Sequence, residues 1–127
     1  MAQFLSEDHM SAGTAALNED AGFTSAMANV DLGLQFNVTD APDGEIDYYL
    51  KVGDGVAALV LGTLEDADAS VGSDYDTAAA ISKGELNVQM AFMTGKIKVG
   101  GNMAKVMMYQ GLINEFARVS STLDLDY

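Results

Sequence analysis

The sequence predicts one α+β domain: a five-stranded, mainly antiparallel but mixed sheet, covered on one face by helices, with a hydrophobic cavity between the layers. Three observations carry this. Apolar and polar residues alternate over 32–38, 46–52 and 97–99, as in strands with one buried face. Apolar residues recur at spacings of three and four over 86–93 and 106–116, as in helices packed on one side. The chain has 127 residues, which suits a single core, so residues 1–127 are expected to form one domain.

Along the chain, Ser6 is placed to cap a first helix whose opening turn carries Glu7 and Asp8. Leu5, Met10, Leu17, Phe23 and Met27 supply its apolar side, and the break at 18–22 divides it into two pieces. Leu32, Leu34, Phe36 and Val38 then alternate with polar residues or glycine. After a turn at Pro42-Asp43-Gly44, Ile46, Tyr48, Leu50 and Val52 do the same, giving two adjacent antiparallel strands. Gly53-Asp54-Gly55 turns into Val56–Leu61, whose uninterrupted apolar run predicts a central or doubly covered third strand. Residues 69–72 predict a short fourth strand, and 77–82 a helix stopped by Lys83 and Gly84.

Residues 85–93 predict a short helix with Leu86, Met90 and Met93 on one face, which needs an apolar partner. Residues 95–100 form the fifth strand, with Ile97 and Val99 inward and Lys96 and Lys98 toward solvent. Asn102 then caps a helix running from 103 to 120. Val106, Tyr109, Ile113 and Phe116 keep helical spacing in it. Met103, Ala104, Met107 and Met108 widen the apolar surface, so the first two turns are expected to be buried on more than one side.

The block GELNVQMAFMTGKIKVGGNMAKVMMYQ, residues 84–110, resembles the sterol carrier protein 2 family of nonspecific lipid carriers. The resemblance rests on Gly84, Gln89, Ala91, Phe92, Met93, Gly95, Lys96, Ile97, Lys98, Gly101, Asn102 and Met103. It extends upstream through VDLGLQFNVT at 30–39, residues 48–54 and residues 74–77, and covers roughly residues 31–113. It implies a hydrophobic tunnel for acyl chains, sterols or acyl-CoA thioesters.

Methionine suits such a wall, because its unbranched, polarizable side chain repacks around ligands of different shape. The ligand-lining candidates are therefore Met90, Phe92, Met93, Met103 and Met107, with Phe36 and Tyr48 from the sheet and Gln110 as a hydrogen-bonding partner for a head group. Lys83, Lys96, Lys98 and Lys105 are the cations available to the phosphates of an acyl-CoA.

Other classes fit poorly. Nineteen acids against six bases give a formal net charge of −13, which argues against nucleic acid and disfavours strong docking on acidic lipids. With no cysteine there is neither a disulfide framework nor a thiolate metal site. His9-Met10-Ser11-Ala12-Gly13 lacks the first glycine and the preceding strand of a nucleophile elbow. Asp66–Ser70 opens like a calcium loop, but Val71 and Thr77 stand where its glycine and glutamate belong. Asn37-Val38-Thr39 matches a glycosylation sequon that matters only in a secreted chain.

No signal peptide or membrane-spanning run is read in the sequence, and the ending Leu125-Asp126-Tyr127 is not a peroxisomal address, so a cytoplasmic location is expected. The expected protein is a non-enzymatic, monomeric lipid carrier without metal or cofactor, in transient contact with membranes or enzymes. The alternative is an accessory or protein-interaction module with the same fold and a collapsed cavity.

Overall fold

A computed structural model describes residues 2–42 and 44–127. Among the described residues, eleven helices and strands make the body of the domain: α1 (Glu7–Glu19), α2 (Ala21–Ala26), β2 (Leu32–Ala41), β3 (Gly44–Gly53), β4 (Val56–Leu61), β5 (Ala69–Asp74), α3 (Tyr75–Ser82), α4 (Val88–Met93), β6 (Ile97–Gly101) and the two helices of the C-terminal segment. Those two are α5 (Met103–Met108) and α6 (Gln110–Ser120). Two further short strands, β1 (Ala2–Gln3) and β7 (Leu125–Asp126), pair in parallel and tie the N-terminal segment to the C-terminal one.

The main sheet has the order β4-β3-β2-β5-β6. Among the described residues β2 pairs with β5 in parallel and the other three pairs are antiparallel, so the sheet is mixed and mainly antiparallel, as expected. The connection from β4 to β5 crosses the outer face. Gln35 anchors it by accepting from the Leu64 N–H and donating to the carbonyls of Tyr48 and Gly62. A Cβ on Gly33 would meet Leu64 at 2.7 Å, so the glycine in this strand makes room for the crossing loop.

Local signals account for most element boundaries. The Ser6 side chain accepts from the His9 N–H and starts α1, and Asp20 accepts from the Phe23 N–H and starts α2 after the expected break. Asp74 caps α3, which therefore begins at Tyr75, two residues earlier than the sequence predicts. Asn102 caps α5 through the Lys105 N–H. Before it, Gly101 takes φ +95°, and a Cβ there would lie 2.7 Å from the Asp68 carbonyl. The Pro42-Asp43-Gly44 turn includes Asp43, which lies outside the described residues.

Three expectations are corrected. Val56–Leu61 is the edge of the sheet, not its centre. Ala57 and Leu59 are buried under α1 while Val56 and Val60 face solvent, so one strand face is apolar without being covered. The free edge is satisfied by side chains of α1: Asn18 bonds both the N–H and the carbonyl of Ala57, and Thr14 accepts from the Leu59 N–H.

Second, the helix expected over 103–120 is interrupted at Tyr109 (φ −103°, ψ 27°). Third, the first turns of that segment are not buried: α5 has no buried residue. Nor does the methionine face of α4 find a partner. Leu86 precedes that helix, Met90 and Met93 are exposed, and only Ala91 is buried.

The core sits at the other end of the sandwich. Phe23, Leu17, Met27, Leu32, Leu50, Val38 and Val52 are its largest fully buried side chains, contributed by α1, α2 and the centre of the sheet. α2 packs on α6, and Arg118 of α6 pairs with Asp20 across that junction and with Glu115 one turn away on its own helix. The helical layer is therefore anchored at the α1–α2–α6 side and open at the α4–α5 side.

Candidate lipid-binding cavity

Strand register places an apolar floor under the open side. Pairing aligns Leu61, Tyr48, Phe36, Val71 and Val99 in one row across the five strands. The neighbouring row ends in Ser73 and Ile97, and on the other side lie Leu34 and Leu59. Phe36 and Tyr48 are directly opposed and stack with ring centroids 4.7 Å apart, and Phe116 of α6 leans on Phe36 from above.

Between this floor and the helices is a cavity of about 410 Å³, within the usual size of small-molecule sites. Its roof is Val106, Met107, Gln110, Ile113, Phe116, Ala117 and Ser120 of α5 and α6. One wall is Ala78, Ile81 and Ser82 of α3, and another is Val88, Gln89, Phe92 and Met93 of α4 with Met103. Phe4 and His9 complete the lining. None of the described residues that line it carries a formal charge at neutral pH.

The sequence-derived candidates divide clearly. Phe36, Tyr48, Phe92, Met93, Met103, Met107 and Gln110 line the cavity, and Met90 does not. The Gln110 side chain also donates to Asn114 one helical turn on, leaving its carbonyl oxygen uncommitted within the helix. Lys83, Lys96, Lys98 and Lys105 are not in the lining: Lys105 pairs with Asp68 at 3.1 Å and Lys83 sits over the Tyr127 ring.

The residues missed from sequence are those whose position depends on long-range register. Val71 and Ser73 reach the floor because β5 runs parallel to β2, a pairing that no local pattern specifies. Phe4 and His9 come from the start of the chain. Phe4 packs against His9, Tyr75 and Tyr127, and the Tyr127 hydroxyl shares a 2.6 Å hydrogen bond with Ser82.

His9 is the polar group with the most altered chemistry here. Its Nδ1 accepts from the Leu5 N–H at 2.9 Å, which holds Leu5 in a left-handed conformation (φ 63°) just before the helix cap. Burial lowers its pKa from 6.5 to about 4, so at pH 7 the ring is neutral with its proton on Nε2. Burial likewise pushes the Tyr48 phenol up, and it stays a neutral donor.

The His9 shift fixes a pH dependence. The unfolded chain protonates this histidine below its ordinary pKa of 6.5 and the folded chain only below about 4. Its contribution to stability is whole above pH 6.5, falls as the pH drops between those values, and the total loss is about 3 kcal/mol. Urea unfolding of the wild type and of His9→Gln at pH 7 and pH 4.5 checks this. The variant is expected to lose distinctly less stability on acidification than the wild type.

Comparison with known proteins agrees with this geometry. The model of the SCP-2 sterol transfer family matches residues 15–114. Sterol carrier protein 2 of Gallus gallus is 31% identical over 78 residues, which is 61% of this chain and 14% of that protein, so the chain aligns with only a small part of its relative. A crystal structure of sterol carrier protein 2 superposes with a TM-score of 0.82 at 22% identity, over 96% of this chain and all of the other. The palmitated SCP2L2 of Aedes aegypti, solved in solution, superposes with a TM-score of 0.60 at 19% identity over the whole of both chains.

Proposed function

The chain belongs to the SCP-2 sterol transfer family, and on that premise we propose that it binds one lipid with a long apolar chain, a fatty acid, fatty acyl group or sterol-like molecule, in the cavity between sheet and helices. The observation that carries this reading is the lining: some 410 Å³ bounded mostly by apolar side chains, with no formal charge among the described lining residues. Each methylene moved from water into such a space contributes about 0.8 kcal/mol, so a long chain is held without an ion pair. A carboxylate left in the interior would meet no charged lining residue among those described and would carry a heavy desolvation cost. The charged end of a fatty acid therefore sits at the mouth, beside Gln110 and the methionines, while an uncharged hydroxyl is free to meet the neutral donors His9 and Tyr48 inside. The palmitated form of the Aedes aegypti protein supports an acyl chain as one acceptable occupant of this fold. The task is carriage rather than catalysis.

The test is native mass spectrometry of freshly purified protein, with organic extraction of whatever is bound, followed by a titration series of fatty acids of increasing length. Affinity is expected to rise about fourfold for each added methylene until the cavity is filled. A clean unliganded mass together with no saturable uptake at any length would move the assignment to a non-catalytic accessory module that keeps the fold.

A further inference from the structure

The chain has eight methionines and no cysteine, so its oxidisable sulfur is thioether alone. The described methionines fall into two groups. Met10 and Met27 sit in the core, 4% and 2% exposed. Met90, Met93, Met103, Met107 and Met108 gather on α4 and α5 and are 53%, 79%, 38%, 73% and 70% exposed. Reaction of a thioether with an oxidant dissolved in water follows its exposure, so the second group is open to attack and the first is shielded. Met1 lies outside the described residues.

Three of the open sulfurs belong to the cavity. Met93, Met103 and Met107 line it together with Val88, Phe92 and Val106, whereas Met90 and Met108 do not. A hydroperoxide converts such a thioether to a sulfoxide: its O–O bond breaks, one oxygen atom forms an S–O bond, the sulfur is oxidised by two electrons, and the hydroperoxide is reduced to water or an alcohol. The product carries a strong hydrogen-bond acceptor where an apolar sulfur stood. A lining without formal charge holds lipid through apolar contact, so sulfoxide dipoles that lose their water when a lipid enters oppose binding directly. The fold has little at stake in the same change. α5 has no buried side chain, α4 buries only Ala91, and the two core methionines are out of reach. Leucine at these positions would give a similar apolar wall with no atom to oxidise.

We propose that Met93, Met103 and Met107 are an oxidation site that controls occupancy of the cavity. With the three thioethers reduced, the wall is apolar and keeps its lipid; a hydroperoxide turns them into sulfoxides, the wall becomes polar, and the lipid leaves. Methionine sulfoxide is returned to methionine by the sulfoxide reductases, one enzyme for each epimer, so the change is reversible. A sulfoxide is uncharged, so the formal net charge of −13 is the same in both states and the effect is one of polarity, insensitive to salt. Met90 and Met108 are oxidised as readily but lie outside the lining, which makes them internal controls. This control presupposes that the cavity holds lipid, as proposed for the protein's function.

The test is to treat the purified protein with hydrogen peroxide and to follow peptide masses, fluorescent fatty-acid affinity and the thermal unfolding midpoint on the same samples. In the wild type, Met90, Met93, Met103, Met107 and Met108 are expected to gain one oxygen atom each while Met10 and Met27 gain none. Affinity is expected to fall about tenfold with the midpoint unchanged, and sulfoxide reductases are expected to restore it. Met90→Leu/Met108→Leu, which alters no lining residue, is expected to bind like the wild type and to lose affinity to peroxide in the same way. Met93→Leu/Met103→Leu/Met107→Leu is expected to show one affinity before and after peroxide, although its Met90 and Met108 still oxidise. If that variant does not fold or bind, loss and recovery in the wild type decide by themselves. Affinity that survives sulfoxide at all three lining positions overturns the proposal. So does an equal peroxide loss in the triple variant, or a loss that comes with a lowered midpoint and is not recovered on reduction. Untreated wild type that takes up no fatty acid is a separate failure, visible before peroxide is added: it removes the carrier function, and this control with it.

Discussion

Val71→Trp is expected to weaken the binding of a long-chain fatty acid by about 200-fold while leaving the fold in place. Val71 lies at the centre of the floor, paired with Phe36 on one side and Val99 on the other, and its side chain points into open volume. An indole there displaces about four methylenes of ligand, and four methylenes at about 0.8 kcal/mol each amount to about 3 kcal/mol. Because the added ring enters existing space instead of a packed core, the strain that normally accompanies a larger core side chain is small. Fluorescent fatty-acid titration gives the affinity, and urea unfolding with far-UV circular dichroism gives the fold. Wild-type affinity in a folded variant would put the lipid somewhere other than this cavity.

Leu50→Ala and Met107→Ala are expected to separate stability from binding. Leu50 is 1% exposed and packed between Leu34 and Leu59 in the row next to the cavity floor, so its truncation leaves a hole in close-packed surroundings and costs about 2–5 kcal/mol. Met107 borders empty space and solvent, so its truncation costs less than about 0.5 kcal/mol and instead lowers lipid affinity several-fold. Denaturant midpoints and lipid titrations on the same two variants check both halves. If the methionines packed upon one another in a collapsed cavity, Met107→Ala would lower the unfolding midpoint and leave affinity untouched, which is the behaviour of an accessory module.

The two variants carry opposite expectations because Leu50 lies in the packed core, whereas Met107 lies on a helical layer that is anchored unevenly. α6 is held by Leu112 and Val119 in the core and by the Arg118 pair to Asp20 at the start of α2. α5 is held by its Asn102 cap, the Lys105–Asp68 ion pair and the Tyr109 junction, with no buried side chain of its own. Local unfolding is cheapest where buried apolar contacts are few, so, on the proposed function, α4 and α5 are the elements expected to part when a lipid enters.

Much of this was legible in the order of residues alone. Alternation marked β2 and β3 because one face of each is buried and the side-chain period of a strand is two. Ser6 and Asn102 were readable as helix caps because a side chain that satisfies the first free N–H groups acts over three residues of sequence. The block at 84–110 pointed to the lipid-carrier family before any geometry was known, and most of the side chains it singled out face the cavity.

What the tertiary structure alone decided are the features that depend on partners distant in sequence. Val56–Leu61 reads as a buried strand because every side chain in it is apolar, yet it lies at the edge, since Thr14 and Asn18 of α1 complete its hydrogen bonds. Hydrophobicity reports the need for cover and not its source. The same holds for the methionines of α4 and α5. Their spacing predicted burial, but the sheet beneath them is set back by a cavity, so apolar side chains that a filled core would bury are left at its mouth. Val71, Phe4 and His9 entered the site through the parallel pairing of β5 with β2 and the docking of the N-terminal segment, which no run of neighbouring residues encodes. Local sequence determines which elements form and which faces are apolar; whether an apolar face meets a core, a cavity or the solvent is set by long-range packing.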